Sequence, residues 1–471
     1  MLPALCYTWP TNWDLAAVSE YHERTKHSFE SVRRSAHRLD WENRPHSFKD
    51  YLGLEARPLP PELARLLRWG AGVIRTRTLP DGDVYSFRTY SSAGALYPVE
   101  VYLACAELEG LPAGLYHFHP GELAVRQLRG RDVRGALAEA AAAPELNESA
   151  AVLVLTGILW RSAWKYQARG YRHLFWDAGT MLANLLALAS SQSMQARLLT
   201  GFVDAQVDRL VGTDGEREWS LALLAVGRAV PAPPPAQLEP LQLGVAPLSR
   251  HEVAYPLATA LHAASCLTDA DDVRRYRAPA KPGAVAPSPP DWGKPLETIL
   301  RRRGSIRDFS PRAVPVSTLA AILDHAAAPI PADARPCNEI FVIANAIEGL
   351  EPGVYRFTPP DGFALVRAGS FRREAGYLCL EQPLGALAAG TIFLLGDLGP
   401  VLATLGNRGY RAAQLEAGIR AGRIYLGAYA DDLAATASTF YDDDVTRLVA
   451  AGTGKSALLA VAVGYPAREA P

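Results

Sequence analysis

Gly110-Leu111-Pro112-Ala113-Gly114-Leu115-Tyr116-His117-Phe118 returns 239 positions later as Gly349-Leu350-Glu351-Pro352-Gly353-Val354-Tyr355-Arg356-Phe357. Both stretches read as a turn rich in Gly and Pro running into a strand. Upstream, Glu100-Val101-Tyr102-Leu103-Ala104 keeps the same distance from Glu339-Ile340-Phe341-Val342-Ile343. Downstream, Arg169-Gly170-Tyr171-Arg172 matches Arg408-Gly409-Tyr410-Arg411, and Ala178-Gly179 matches Ala417-Gly418. Phe202 to Leu210 aligns with Phe440 to Leu448 at 238, and the closing strands end at Gly227 and Gly464, 237 apart. An offset this constant is a duplication.

Each copy carries the same order of elements. A short helix (63–69; 319–325) precedes an apolar strand (99–105; 340–344), then a second strand around Tyr116 or Tyr355. A third strand (152–159; 391–398), a long helix through Ala178 or Ala417 and a final strand follow. This predicts an α+β fold, two related domains in tandem forming an intrachain pseudo-dimer, with helices on mostly antiparallel sheets. The expected divisions are an N-terminal extension (1–36) without counterpart in the second copy, domain 1 (37–228), a Pro/Ala-rich linker (229–292) and domain 2 (293–471). The linker reads as an extended connector around one short amphipathic helix near 253–268.

The 471 residues exceed what one core usually organises. A formal net charge of −1 with no basic stripe argues against nucleic acid as partner. No run of about 18 apolar residues marks a membrane span, and Met1 to Leu5 lack the features of a signal peptide. Five scattered cysteines imply free thiols and a cytoplasmic setting, with no zinc pattern. Gly452-Thr453-Gly454-Lys455-Ser456 is not a Walker A loop, because Val449 stands where that motif needs glycine. His117 and His119 meet Arg356 and Thr358 in the second copy, so no metal site is expected, and Asp442-Asp443-Asp444 reads as a solvated acidic turn.

Three stretches carry more chemistry: Arg88-Thr89-Tyr90-Ser91-Ser92-Ala93-Gly94-Ala95-Leu96-Tyr97-Pro98, Trp164-Lys165-Tyr166, and Arg301-Arg302-Arg303-Gly304-Ser305-Ile306-Arg307. With Tyr21-His22-Glu23-Arg24-Thr25-Lys26-His27, they resemble the nitroreductase superfamily and, within it, the SagB/ThcOx-type azoline dehydrogenases. The resemblance implies FMN as cofactor. Arg301, Arg303, Ser305 and Arg307 would serve its phosphate, which needs guanidinium forks and donors. Ser91, Ser92 and Gly94 would form a small-residue loop on the flavin, approached by backbone N–H groups. It further implies contacts from Ala435 and Thr436 near the flavin, a basic residue before the last strand (Lys455), and a base for a carbon acid in Lys165 or Tyr166, with Lys165 favouring its neighbour's phenolate.

The two copies differ reciprocally in these motifs. From first helix to first strand, copy one has 37 positions and copy two 20, so copy two lacks the Ser91–Gly94 loop and has Ala334-Arg335-Pro336-Cys337. Conversely, Arg301, Arg303 and Arg307 fall opposite Pro45, Ser47 and Tyr51, and Lys165-Tyr166 opposite Thr404-Leu405. One complete site is therefore expected, built from both copies. The resemblance implies oxidation of thiazoline or oxazoline rings, in a peptide or carrier-bound intermediate, to thiazole or oxazole. A cyclodehydratase complex is a possible partner and a homo-oligomer a possible state. An NAD(P)H-dependent nitro or quinone reductase, and a non-catalytic flavin-binding scaffold subunit, stand as the alternatives. No dinucleotide fingerprint separates them.

Overall fold

The computed structural model describes residues 11–78, 82, 84–277, 290, 292–334 and 337–468. The N-terminal stretch from Met1, the Pro-rich run from Pro287 to Pro289, and Arg335-Pro336 lie outside them.

Copy one contributes strands β1 (Ala56–Pro58), β2 (Val73–Thr78), β3 (Val84–Arg88), β4 (Val99–Cys105), β5 (Gly114–His119), β6 (Ala124–Arg129), β7 (Ser149–Ile158), β8 (Ala196–Leu199) and β9 (Glu218–Ala229). Seven form one antiparallel sheet in the order β1-β6-β5-β4-β7-β9-β8, while β2 and β3 make a separate hairpin. Copy two contributes β10 (Val314–Pro315), β11 (Asn338–Ala344), β12 (Ile347–Glu348), β13 (Gly353–Thr358), β14 (Gly362–Ala368), β15 (Gly390–Gly396), β16 (Ala434–Ser438) and β17 (Ser456–Gly464). Its main sheet is again antiparallel, β14-β13-β11-β15-β17-β16. The α+β tandem expected from the repeat is the fold found. Strands β4, β7 and β15 are buried almost throughout, matching their continuous apolar sequences.

The two sheets sandwich a pair of central helices, Gly170–Ser191 and Arg408–Ala430, which are nearly buried all round. They cross at the repeated Ala-Gly pair. A Cβ on Gly179 would lie 2.5 Å from Leu415 O, and one on Gly418 2.5 Å from Trp176 O. Only glycine permits that approach.

The repeated Arg-Gly-Tyr-Arg motif turns out to be the lock between copies. Arg169 and Arg172 of copy one grip Asp442 of copy two at 2.9 and 2.8 Å. Reciprocally, Arg408 and Arg411 of copy two grip Asp204 of copy one at 2.5 and 2.7 Å. Each lock is completed from a helical segment. Arg172 donates to His22 O and Thr25 Oγ1, and Asp442 accepts from His27 N. Arg411 donates to His262 O and Ser265 Oγ, and Asp204 accepts from Leu267 N. The extension helix Ala16–Arg24 and the connector helix Pro256–Ala264, which lies outside the second copy, thus take the same part in the two locks. The shared positions are the few that meet the lock, too sparse to register as repeat. The connector also holds a second helix, Ala270–Arg277, where one was expected.

Candidate functional site

After β3 the chain turns through Ser91-Ser92-Ala93-Gly94, with positive φ at Gly94 (64°), Ala95 (53°) and Tyr97 (49°). One face of the first central helix holds this loop along its length. Asn184 Nδ2 donates to Thr89 O at 3.1 Å, Thr180 Oγ1 to Ser91 O at 2.6 Å, and Asp177 accepts from Ala93 N at 3.0 Å and from Ser92 Oγ. These residues stand at i, i+3 and i+7, the spacing of one helical face. Gly94 is required where it stands: a Cβ there would lie 3.0 Å from the Tyr166 hydroxyl and 3.4 Å from Lys165 Nζ.

Lys165 and Tyr166 end the helix Leu159–Tyr166. Burial lowers the Lys165 pKa, helped by Arg307 and Arg44. Burial and Asp177 raise that of Tyr166 against the pull of Arg307. The expected phenolate is therefore corrected: the tyrosine is held protonated and the lysine is pushed towards a neutral amine.

From copy two, the chain leaves the helix Leu296–Arg302 and runs extended past Arg303, Ser305 and Arg307. Arg303 is buried and committed to the carbonyls of Thr89 and Arg88, both at 2.9 Å, so it staples the two copies. Among the described residues Arg307 makes no hydrogen bond or ion pair, and its guanidinium remains available. Tyr425 ties the halves together: its Oη accepts from Ala437 N at 2.7 Å and meets Ser305 Oγ at 3.1 Å and Ser91 Oγ at 3.2 Å. Thr436 donates to Ile306 O.

These elements enclose a cavity of about 680 Å³, within the range of small-molecule and cofactor sites. It brings together Ser91, Ser92, Gly94, Lys165, Tyr166, Arg303, Ser305, Arg307 and Thr436. It does not reach Arg301, whose guanidinium lies over the Trp69 ring, 5.4 Å from its centroid. Lys455 pairs instead with Glu339 at 2.9 Å. Ala435 is buried in β16 opposite Val463, off the cavity wall.

Sequence reasoning missed Asp177, His173, Trp176 and Thr180 on the cavity wall. The His173 ring lies against Tyr166 (centroids 4.1 Å apart) and stacks on Trp176 (4.6 Å), and among the described residues neither of its nitrogens has a hydrogen-bond partner. Burial and the cations Arg169 and Arg172 keep it neutral. The signal was present as a lone carboxylate within the apolar run Leu174 to Leu188.

The Nitroreductase family model matches the chain twice, over residues 53–228 and 300–465. A Methanocaldococcus jannaschii protein assigned as a nitroreductase is 27% identical over 149 residues, 31% of this chain and 74% of that protein. The microcin B17-processing protein McbC of Escherichia coli is 30% identical over 138 residues, 27% of this chain but only about half, 49%, of that relative's length. A solved structure of a protein assigned as a nitroreductase, from Anabaena variabilis, superposes with a TM-score of 0.82 at 26% identity, covering 96% of this chain and 99% of that one. The two matched regions are the two copies of the repeat, and the chain belongs to the nitroreductase family of oxidoreductases.

Proposed function

We propose that the chain is an FMN-dependent dehydrogenase converting thiazoline or oxazoline rings of a peptide or carrier-bound intermediate to thiazole or oxazole. The observation that carries this reading is Lys165, an amine at the cavity wall over Gly94 whose pKa is held down by burial, Arg307 and Arg44. Removing a proton from a carbon acid needs a base that gives up its own proton readily; passing hydride to a nitro group or quinone does not. The likeness to a microcin-processing protein brings a modified peptide forward as substrate. An enzyme that closes the ring would act first, so a cyclodehydratase is the fitting partner.

The cavity residues suit FMN. Arg307 and the donors of Ser305 and the 91–94 loop could meet a phosphate and a planar ring. When bound, FMN would supply the two-electron acceptor, with dioxygen as terminal oxidant. The ring loses two hydrogens: Lys165 takes one as a proton from the carbon beside the acyl group, and the other leaves with the electron pair. Tyr166, held protonated, packs against His173 and orients the substrate. The assignment of FMN and of these roles is tested by anaerobic rapid mixing. An azoline-containing peptide should bleach the flavin band, admitted oxygen should restore it, and the product should be two hydrogens lighter per ring. Bleaching by reduced nicotinamide, with none by any azoline peptide, would replace this reading with that of a reductase. A chain that binds FMN but whose complex assembles and forms product unchanged after both Lys165 and Tyr166 are removed would be a scaffold. Activity should rise with pH as the Lys165 amine loses its proton, through a pKa below the ordinary lysine value.

A further inference from the structure

The Asp177 carboxyl is buried inside the first central helix, yet no cation pairs with it among the described residues. Its partners are both loop donors, the Ser92 hydroxyl on Oδ2 and the Ala93 amide on Oδ1. Ser92 Oγ in turn accepts the Tyr97 amide at 2.9 Å. The hydrogen bonds therefore have a fixed direction: Tyr97 N–H to Ser92 Oγ, Ser92 O–H to Asp177. A carboxylate accepts both donors at once. A protonated carboxyl holds this arrangement less well, because its hydrogen takes up one lone pair of an oxygen and itself needs an acceptor, the nearest to Oδ2 being Ser92 Oγ. The Ser92 hydroxyl would then become the acceptor, and its hydrogen would swing from the helix towards the cavity that Ser92 lines.

We infer that Asp177 is a positioning residue coupled to a proton: its ionised form holds the 91–97 loop closed on the central helix, and its protonated form releases the Ser92 hydroxyl to donate into the cavity. The setting is suited to titration near neutrality. Burial pushes the carboxyl up, the Ser92 and Ala93 hydrogen bonds and Arg88 pull it back, and the balance is about 7. The groups facing it are Arg88 from β3, the hydroxyls of Tyr90 and Tyr97 from the loop and Tyr166 from the preceding helix, with His173 one turn earlier on its own helix, packed on Tyr166 and Trp176. All three tyrosines have raised pKa values and His173 a lowered one. Near pH 7 Asp177 is thus the group in this cluster that changes charge. The second copy differs. Glu416, at the equivalent position, accepts the Cys337 and Asn338 amides and is paired with Arg420 at 2.7 Å.

This inference rests on the cavity being the functional site, and not on which ligand fills it. Hydrogen exchange of residues 89–97 in the full chain without ligand, corrected for the intrinsic rate at each pH, should slow tenfold or more as pH rises through about 7. Asp177→Asn keeps the size and an acceptor for the Ala93 amide but cannot titrate, so the step should vanish. Ser92→Ala removes a bond that favours the ionised form, so its step should move to higher pH. A wild-type profile without a step, or a step that survives Asp177→Asn, overturns the inference. FMN titration of the same proteins should show a dissociation constant with the same midpoint in wild type and none in Asp177→Asn. Failure of FMN to bind at any pH would defeat the proposed cofactor while the exchange step stands or falls by itself.

Discussion

The two ends of the central helix pair began as the same structure and now differ in what they enclose. At one end, Thr436 to Ser438 face a cavity of about 680 Å³. At the other, the equivalent Leu198 and Thr200 face about 30 Å³ lined by Ile330, Leu415 and Ile419, room for about one water. Position by position, Thr180 is replaced by Ile419, His173 by Ala412 and Lys165 by Thr404. The carboxylate persists as Glu416, but capping strand amides and paired with an arginine. The backbone scaffold is retained at both ends, and so is the Arg-Asp lock. What was lost is the hairpin and loop that copy two does not carry. Function here is a property of a few side chains set on a scaffold that outlives them.

That contrast is broken or sharpened most strongly at Lys165. Lys165→Ala should leave the fold and cofactor in place while slowing substrate oxidation about 10²- to 10⁴-fold, the scale of a lost general base. The same change at Thr404, its equivalent, should do nothing. Steady-state turnover on one azoline substrate compares them directly, and equal rates for Lys165→Ala and wild type would remove the chemical distinction between the ends.

The locks should behave alike although the sites do not. Asp442→Ala strands Arg169 and Arg172, and Asp204→Ala strands Arg408 and Arg411, all buried. Removing one partner of a buried pair costs about 3–5 kcal/mol. Denaturant unfolding should show comparable losses for both variants. A large loss for only one would mean that the copies no longer share their framework.

A smaller effect is expected at the phosphate end. Arg307→Ala should weaken FMN binding by about 10- to 100-fold, from the loss of a charge-assisted contact of about 1.5–3 kcal/mol. Fluorescence titration measures it. Saturated wild type should hold one FMN per chain, and a reproducible ratio near two would show that the closed end still binds.

The duplication was legible because strands, turns and the glycine crossing demand particular residue types at fixed distances, and Gly179 and Gly418 could not drift. The gathering of Ser91, Ser92, Gly94, Lys165, Tyr166 and Arg307 at one cavity could be anticipated from the reciprocal losses between copies. Other positions could not. Arg301 and Arg303 look alike in sequence, yet the helix ends between them, leaving one over Trp69 and burying the other against carbonyls. Lys455 finds Glu339, a partner 116 residues away that only the sheet brings near. Asp177 and Tyr425 act through the loop that folds over them, which no local pattern encodes. The reversed direction of the Tyr166 pKa belongs here too: adjacency to lysine suggested a phenolate, while burial and Asp177 decide otherwise.

The smallest expected effect therefore separates the two members of the pair. A tyrosine acting as base would have to lose its proton, and its surroundings oppose that: the ring is packed against His173, and a carboxyl beside it repels a phenolate. Lys165 is exposed at the cavity wall and feels the opposite pressure, since partial desolvation and the positive charge of Arg307 and Arg44 all lower its pKa. Tyr166→Phe then removes one hydroxyl that orients substrate, about 0.5–1.5 kcal/mol of hydrogen bonding, and should slow turnover no more than about tenfold with the flavin band unchanged. Its pH profile should keep the rising limb of the wild type, because that limb belongs to the amine. In Lys165→Ala the limb should be lost. A drop of about 10²- to 10⁴-fold for Tyr166→Phe, with the limb abolished, would reassign the base to the tyrosine, and the electrostatic contrast between these neighbours would have to be abandoned.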